Sequence, residues 1–347
     1  MTYRPTMNER VRRVATALAM VLAVVGLLGL AGCGGGGESP ADGKIEIRLA
    51  HVHAADPSSE IHTAAVAFKE YVESRNPDIE VRIFANGQLG SEREVYESMQ
   101  LGSGATCVIS GTAILGNFNQ RIGVLDLPYL WEDYGHVHAV LDGEVGQTLA
   151  EELRGEGFRV LAWMDSWGFR NVMTSSRPVT EPGDLAGLKI RTIRTPIYTE
   201  TLRAMGANPT PMSFGEVYSA MQTGVIDGFE HGASVILANR MHEVGQHLAL
   251  TEHLFGPLVF VYSDHAFGRL DEATQMLLEE AAAHARDVQR GLSAERDAEA
   301  MEALRGHGVT IHAIDTAPLA EAMKPLQDSL AAEREATDLL EKIRLAR

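Results

Sequence analysis

The sequence predicts an α/β protein built as two lobes, and three observations carry that expectation. Strand-like and helix-like patterns alternate from residue 44 onward, the signature of largely parallel sheets flanked by helices. The alternation restarts after a turn-rich stretch near residue 180. The chain has 347 residues, and even without a leader it exceeds the ~250–300 at which a single hydrophobic core stops growing.

In chain order, "KIEIRLAHV" reads as a strand. Ser58 or Ser59 then caps a helix whose Ile61, Ala65, Phe68 and Val72 keep helical spacing until Asn76 and Pro77 stop it. "IEVRIF" (79–84) alternates as a strand and "NGQLG" turns. Val95 and Met99 share one face of the next helix, which Gly102 and Gly104 end before "ATCVIS" returns as a strand. A helix is expected over about 136–154, and "FRVLAWM" is the next strand. Beyond the turn residues of "SRPVTEPGDLAG" the second run opens. It comprises a strand over 189–193, a helix over 196–205, a Pro-rich turn "GANPTPMS", a helix over 214–223 and a short strand "VIDGF". "FGPLVFVYS" reads as a fully buried strand, the pattern is helical for some forty residues (~11 turns) from Asp264, and "GVTIHAI" is a last strand before a closing helix.

The N-terminus stands apart from this pattern. Arg4, Arg10, Arg12 and Arg13 precede an uncharged apolar run, 14–30, that falls short of the ~20 residues of a membrane span. The run ends in Leu30-Ala31-Gly32-Cys33, which closely resembles the lipobox of bacterial lipoproteins; that resemblance implies a signal peptide over 1–32 and a lipid on Cys33. Residues 33–43, rich in glycine, read as a flexible tether.

The formal net charge is -17, and loss of residues 1–32, with four Arg and one Glu, takes it to -20. An acidic body of that kind repels nucleic acid and anionic membrane surfaces. Cys33 and Cys107 are the two cysteines, so a lipidated Cys33 leaves no intramolecular disulfide. Cys107, in an apolar strand, reads as a small buried hydrophobe.

Most enzyme motifs fail on geometry. His242 and His247 in "HEVGQH" are five apart, about 140° around a helix, where zinc proteases need i and i+4. His51 and His53 share a face at a strand end, suited to a polar role in a cleft or to a metal, but no third ligand is near. No phosphate loop, nucleophile elbow or paired cysteine motif occurs, and no cofactor or metal is expected.

One stretch is informative. Residues 154–203 carry eight Lys and Arg against five Asp and Glu, a local excess of positive charge in an acidic chain. On a strand Lys189, Arg191 and Ile193 share a face while Arg194 points away. Lys189 and Arg194 read as edge residues. Arg191 sits where a strand runs into a helix, the end at which open α/β sheets bind ligands, and its guanidinium fits a carboxylate in a bidentate fork. An anion site around Arg191 is the expectation from residues alone.

"PGDLAGLKIRTIRTPIYTETLRAMGANPTPMSFGEVYSAMQTGVIDGFEH" strongly resembles the signature region of the solute-binding proteins of tripartite ATP-independent periplasmic (TRAP) transporters. "NGQLGSEREVYESMQLG" and "GFRNVMTSSRPV" extend the likeness over most of residues 44–265. The resemblance implies two α/β lobes joined by hinge strands, with a long helix along both, closing over a small organic acid. It places lobe I at 44–167 plus about 256–296, and lobe II at 168–255 plus about 297–347. It implies that Arg191 pairs with the ligand carboxylate, Arg170 gives a second contact, Phe214 packs beside the ligand, and Glu92 and Ser110 reach its hydroxyls. Many members end "DGxEN" in asparagine where this chain has His231, which still faces the ligand as a donor. His53 completes the expected set.

The expected role is a lipid-anchored extracytoplasmic receptor that hands an organic acid to a permease, without catalysis. Two arginines, a carboxylate and histidines fit a uronate or aldonate better than a C4-dicarboxylate, because Glu92 repels a second carboxylate. A sugar-acid enzyme using His53, Glu92 and His231 as acid and base, and a sensor in place of a transporter subunit, remain the alternatives.

Overall fold

The computed structural model describes residues 44–346. The expected signal peptide 1–32, the tether 33–43 and Cys33 lie outside the described residues.

The first half follows the expected order: β1 (Ile45–Ala50), α1 (Glu60–Arg75), β2 (Ile79–Phe84), α2 (Glu92–Gln100) and β3 (Cys107–Gly111). Ser59 caps α1, its hydroxyl accepting from the His62 N–H. Then come α3 (Thr112–Leu115), a 3-10 segment (Gln120–Asp126), α4 (Tyr134–Leu141), α5 (Glu144–Gly155) and β4 (Phe158–Met164). The single helix expected over 136–154 is two, because Asp142 and Gly143 end one and start the next. The second half holds β5 (Arg170–Thr174), β6 (Lys189–Thr192), α6 (Pro196–Ala204), β7 (Asn208–Pro211), α7 (Val217–Gln222), β8 (Gly228–His231), α8 (Ala233–Ala238) and β9 (His247–Leu254). The chain closes with β10 (Leu258–Ser263), α9 (Asp264–Phe267), α10 (Glu272–Gly306), β11 (Thr310–Ala313), α11 (Ala317–Glu333) and α12 (Thr337–Leu345).

These strands form two sheets, in the orders β2-β1-β3-β10-β4 and β11-β9-β5-β8-β6-β7. Within the first, β1 runs parallel to β2 and β3 while β10 is antiparallel to β3 and β4. The chain passes between sheets three times, at 165–169 after β4, at 255–257 before β10 and through α10 before β11. A glycine serves each of the two short crossings. Gly168 (φ +82°) and Gly256 (φ +61°) adopt left-handed backbone, and an added Cβ would lie 2.5 Å from Asp297 and 2.6 Å from the Tyr198 hydroxyl respectively.

Each sheet has its own core. Phe68, Val81, Cys107, Phe260 and Leu278 pack in the first, and Met173, Phe229, Leu248 and Leu304 in the second. Helix α10 serves both, with Ala281, Ala282 and Ala285 in the first core and Ala300 and Leu304 in the second. The terminal helices cross back, a packing that the sequence assignment of about 297–347 to lobe II does not contain. Leu319 and Met323 of α11 join Val172 and Ile190, whereas Leu339, Leu340 and Ile343 of α12 join Val137, Val140 and Leu149.

Glu60, at the start of α1, is 1 % exposed and accepts a 3.2 Å hydrogen bond from Ser234 of α8, tying a first-sheet helix to a second-sheet helix. Burial pushes its carboxyl up to about 8, against smaller opposing influences of the Ser234 hydroxyl and Arg296. Asp126, also buried, is raised to about 7 by the same cause. A folded-state value above the ordinary one stabilises the fold at low pH and is lost as pH rises through the folded value. His51 and His53, depressed to about 3 mainly by burial, act the other way, but only below their ordinary 6.5. Between pH 6.5 and 8 the carboxyls therefore dominate. We expect unfolding free energy to fall across that window, by up to about 1.4 kcal/mol per pH unit for each untitrated carboxyl. Urea titrations of Glu60→Gln should show the decline between pH 7 and 8 reduced to the smaller part that Asp126 contributes.

Candidate ligand-binding site

The carboxyl ends of β1, β6 and β8, the first residue of β5 and the start of α2 meet at one cleft between the sheets. Its inner cavity is lined by His53, Glu92, Arg170, Arg191, Phe214 and His231, so six of the seven candidate ligand residues share it. Ser110 does not line it. That residue is fully buried behind Glu92 and donates a 2.6 Å hydrogen bond to it, so its hydroxyl holds Glu92.

Arg170 is 1 % exposed and lies against Glu230, which is wholly buried. The Glu230 carboxylate accepts from Nε and, at 2.9 Å, from Nη2, and the Glu230 carbonyl takes a second bond from Nη2 at 3.0 Å. Burial alone would weaken the arginine's charge, but Glu230 outweighs it and the guanidinium pKa rises. Burial likewise opposes the carboxylate, yet Arg170 and then His253 hold Glu230 down at about 2. Both members are ionised. Nη1 of Arg170 is left buried with no hydrogen-bond partner among the described residues. The Tyr198 ring lies 5.3 Å from the guanidinium carbon, and its hydroxyl donates at 3.0 Å to Asp126.

Arg191 is 3 % exposed and, among the described residues, has no carboxylate in contact. The Met212 carbonyl accepts from Nε at 3.1 Å and from Nη2 at 2.8 Å, which fixes the plane of the fork. Burial lowers its pKa to about 10, still charged at neutral pH. Its guanidinium carbon sits 5.9 Å from the Phe214 ring. Lys189 and Arg194 stay out of the inner cavity: Lys189 is exposed, and Arg194 pairs with Glu216 at 3.0 Å.

Four rings close the inner end. His53 lies 4.9 Å from Trp167, 4.8 Å from Phe214 and 5.8 Å from His231. His231 accepts at Nδ1 from the Gly232 N–H at 3.0 Å, which puts the ring proton of the neutral form on Nε2. Burial, then the charges of Arg170, the neighbouring His53 and Arg191, hold its pKa well below 6.5. His231 is therefore a neutral donor, as asparagine would be, and adds no charge. Trp167 Nε1 is a second buried donor without a partner.

His51 and His53 do not share an environment. β1 ends at Ala50, so strand alternation no longer applies, and His51 turns to His62 at 3.2 Å. Among the described residues no group of three or more His, Cys, Asp or Glu is placed to hold a metal ion. Glu92 is half-buried; burial raises its pKa, while Ser110, Arg191 and Arg170 oppose that shift.

Sequence reasoning missed Glu230, Trp167, Tyr198 and Asp126. Glu230 left one signal, a lone acid in the apolar strand beside His231. Trp167 comes from a loop, Tyr198 from α6 and Asp126 from the 3-10 segment, and nothing in their local pattern marks them.

The family described as bacterial extracellular solute-binding protein, family 7, matches residues 51–334. The 2,3-diketo-L-gulonate-binding periplasmic protein YiaO of Escherichia coli K12 is 34 % identical over 251 residues, 72 % of this chain and 76 % of its own. The C4-dicarboxylate-binding periplasmic protein DctP of Rhodobacter capsulatus is 32 % identical over 293 residues, 83 % of this chain and 86 % of its own. A TRAP periplasmic solute-binding protein of Xanthobacter autotrophicus Py2, solved with bound β-D-galacturonate, superimposes with a TM-score of 0.82 at 28 % identity, covering 87 % of this chain and 100 % of the other.

Removing one member of a buried ion pair leaves the other charge uncompensated. Glu230→Gln should lower the unfolding free energy by about 3–5 kcal/mol in urea denaturation of the ligand-free protein.

Proposed function

The chain belongs to the bacterial extracellular solute-binding proteins of family 7, and from that premise we propose that it captures a sugar acid, a uronate or aldonate, for a TRAP-type permease. It is a periplasmic or otherwise extracytoplasmic binding protein, not an enzyme, and its class binds small acids and works with membrane permeases. The observation that carries the reading is the pair of arginines in one cleft. Arg191 has no carboxylate of its own, and Arg170 keeps a buried Nη1 free beside it. A ligand carboxylate supplies the missing acceptor, with the neutral His231 and Trp167 as further donors. Glu92 in the same cleft offers an acceptor to hydroxyls and repels a second carboxylate. The ligands of the relatives are consistent with this: diketogulonate and galacturonate are sugar acids. The C4-dicarboxylate reading draws on the Rhodobacter relative.

A thermal-shift panel of uronates, aldonates, dicarboxylates and keto acids separates the two. At 100 times its dissociation constant a ligand adds about 2.7 kcal/mol to the folded state, a shift of a few degrees. The expected hits are sugar acids, lost in an Arg191→Ala variant that still melts cooperatively; stabilisation by succinate alone would refute the sugar-acid assignment.

We also propose that Cys33 carries the lipid anchor, on the strength of the Leu30-Ala31-Gly32-Cys33 sequence and the glycine tether behind it. In cell fractionation the native protein should sediment with membranes, and Cys33→Ser should either remain unprocessed or lose labelling by radioactive palmitate. Equal labelling of both proteins would reject the anchor.

A further inference from the structure

We propose that the cleft takes a sugar acid longer than one monosaccharide, with a single carboxylate at the inner end and a neutral glycosyl group in the outer chamber. This extends the sugar-acid reading above and rests on it. The cleft has two parts that share Val52, Glu92, Ile114, Arg191, Ile193 and Phe214. The inner cavity measures about 20 Å³, room for about one water. Its wall nevertheless includes Arg170 and Trp167, each with a buried donor lacking a partner, so this narrow end fits the tip of an acid rather than its body.

The outer chamber measures about 370 Å³, within the ~300–1,000 Å³ of clefts that bury drug-sized ligands, which are larger than one hexuronate. The cations at its rim are already paired. Arg194 pairs with Glu216 at 3.0 Å and Arg93 with Glu97 at 2.8 Å. Glu94 accepts from the Ser91 N–H and hydroxyl at 2.7 and 2.8 Å. A second carboxylate would find no unpaired cation in this chamber beyond Arg191, at the boundary with the inner end. Val52, Ile193 and Phe214 give the chamber an apolar wall, and Asn86 and Asn117 add amides to its lining. An apolar wall with a polar edge complements a pyranose, which has a C–H face and hydroxyls around it. The ligand class is therefore an aldonic acid bearing a neutral sugar, its open chain reaching the narrow end.

Gly215 provides the control. It lines the outer chamber, and a Cβ there would meet no atom within 4 Å. Gly215→Trp fills the chamber from its wall without a steric conflict at the backbone.

Calorimetry on the purified protein with gluconate, galacturonate, digalacturonate and lactobionate tests this. The expected result is lactobionate binding at least about tenfold more tightly than gluconate, and more tightly than digalacturonate, with the lactobionate-to-gluconate ratio falling to about one in Gly215→Trp. Gluconate or galacturonate binding as tightly as lactobionate would overturn the extended ligand and leave the sugar-acid reading standing. A ratio unaffected by Gly215→Trp would overturn the place assigned to the second ring. Failure of all four acids, with succinate bound, would overturn the underlying reading as well.

Discussion

Two opposite charges with almost no access to water lie in contact where the second sheet faces the cleft. Arg170 and Glu230 are each held in the charged form chiefly by the other, because burial acts against both. The antiparallel pairing of β5 with β8 opposes Asn171 to His231 and so brings the beginning of one strand to the end of the other. Glu230 takes Nε and Nη2 and leaves Nη1, so the carboxylate that keeps the arginine buried also decides which edge of it a ligand can use. Around this pair the molecule places Tyr198, Asp126 and the Gly256 crossing, all within contact of one another.

Arg191 is the counterpart. Backbone carbonyl oxygen orients it without neutralising it, which leaves a cation with no contacting carboxylate among the described residues, in a pocket whose histidines are neutral. An overall charge of -17 does not prevent this, since screened surface carboxylates more than about 10 Å away act weakly on a desolvated guanidinium. Recognition of an anion by an acidic protein is thus a matter of local geometry.

The alternation of elements was legible because the parallel strands of the first sheet and their helices follow simple periods. β7 was hidden by Pro209 and Pro211, which read as a turn; as an edge strand bonded only to β6, it tolerates residues without an N–H. β9 was hidden because His247, Thr251, Glu252 and His253 interrupt its apolar pattern. Arg191 could be picked out as a guanidinium at a strand-to-helix junction, and the family likeness added Arg170, Phe214, Glu92 and His231. Glu230 could not, since pairing across two strands far apart in sequence has no local period. The same limit applies to the terminal helices, whose return to the first sheet depends on tertiary packing alone.

Cys107 is shut in the first core, unpaired, with burial raising its thiol pKa. The body from residue 44 onward therefore reaches its fold without a disulfide and offers no cysteine thiol at its surface. Cysteines introduced in pairs, one on each lobe, would be the accessible thiols of that body. Spectroscopic labels placed on them could then read the separation of the lobes in solution against a silent background.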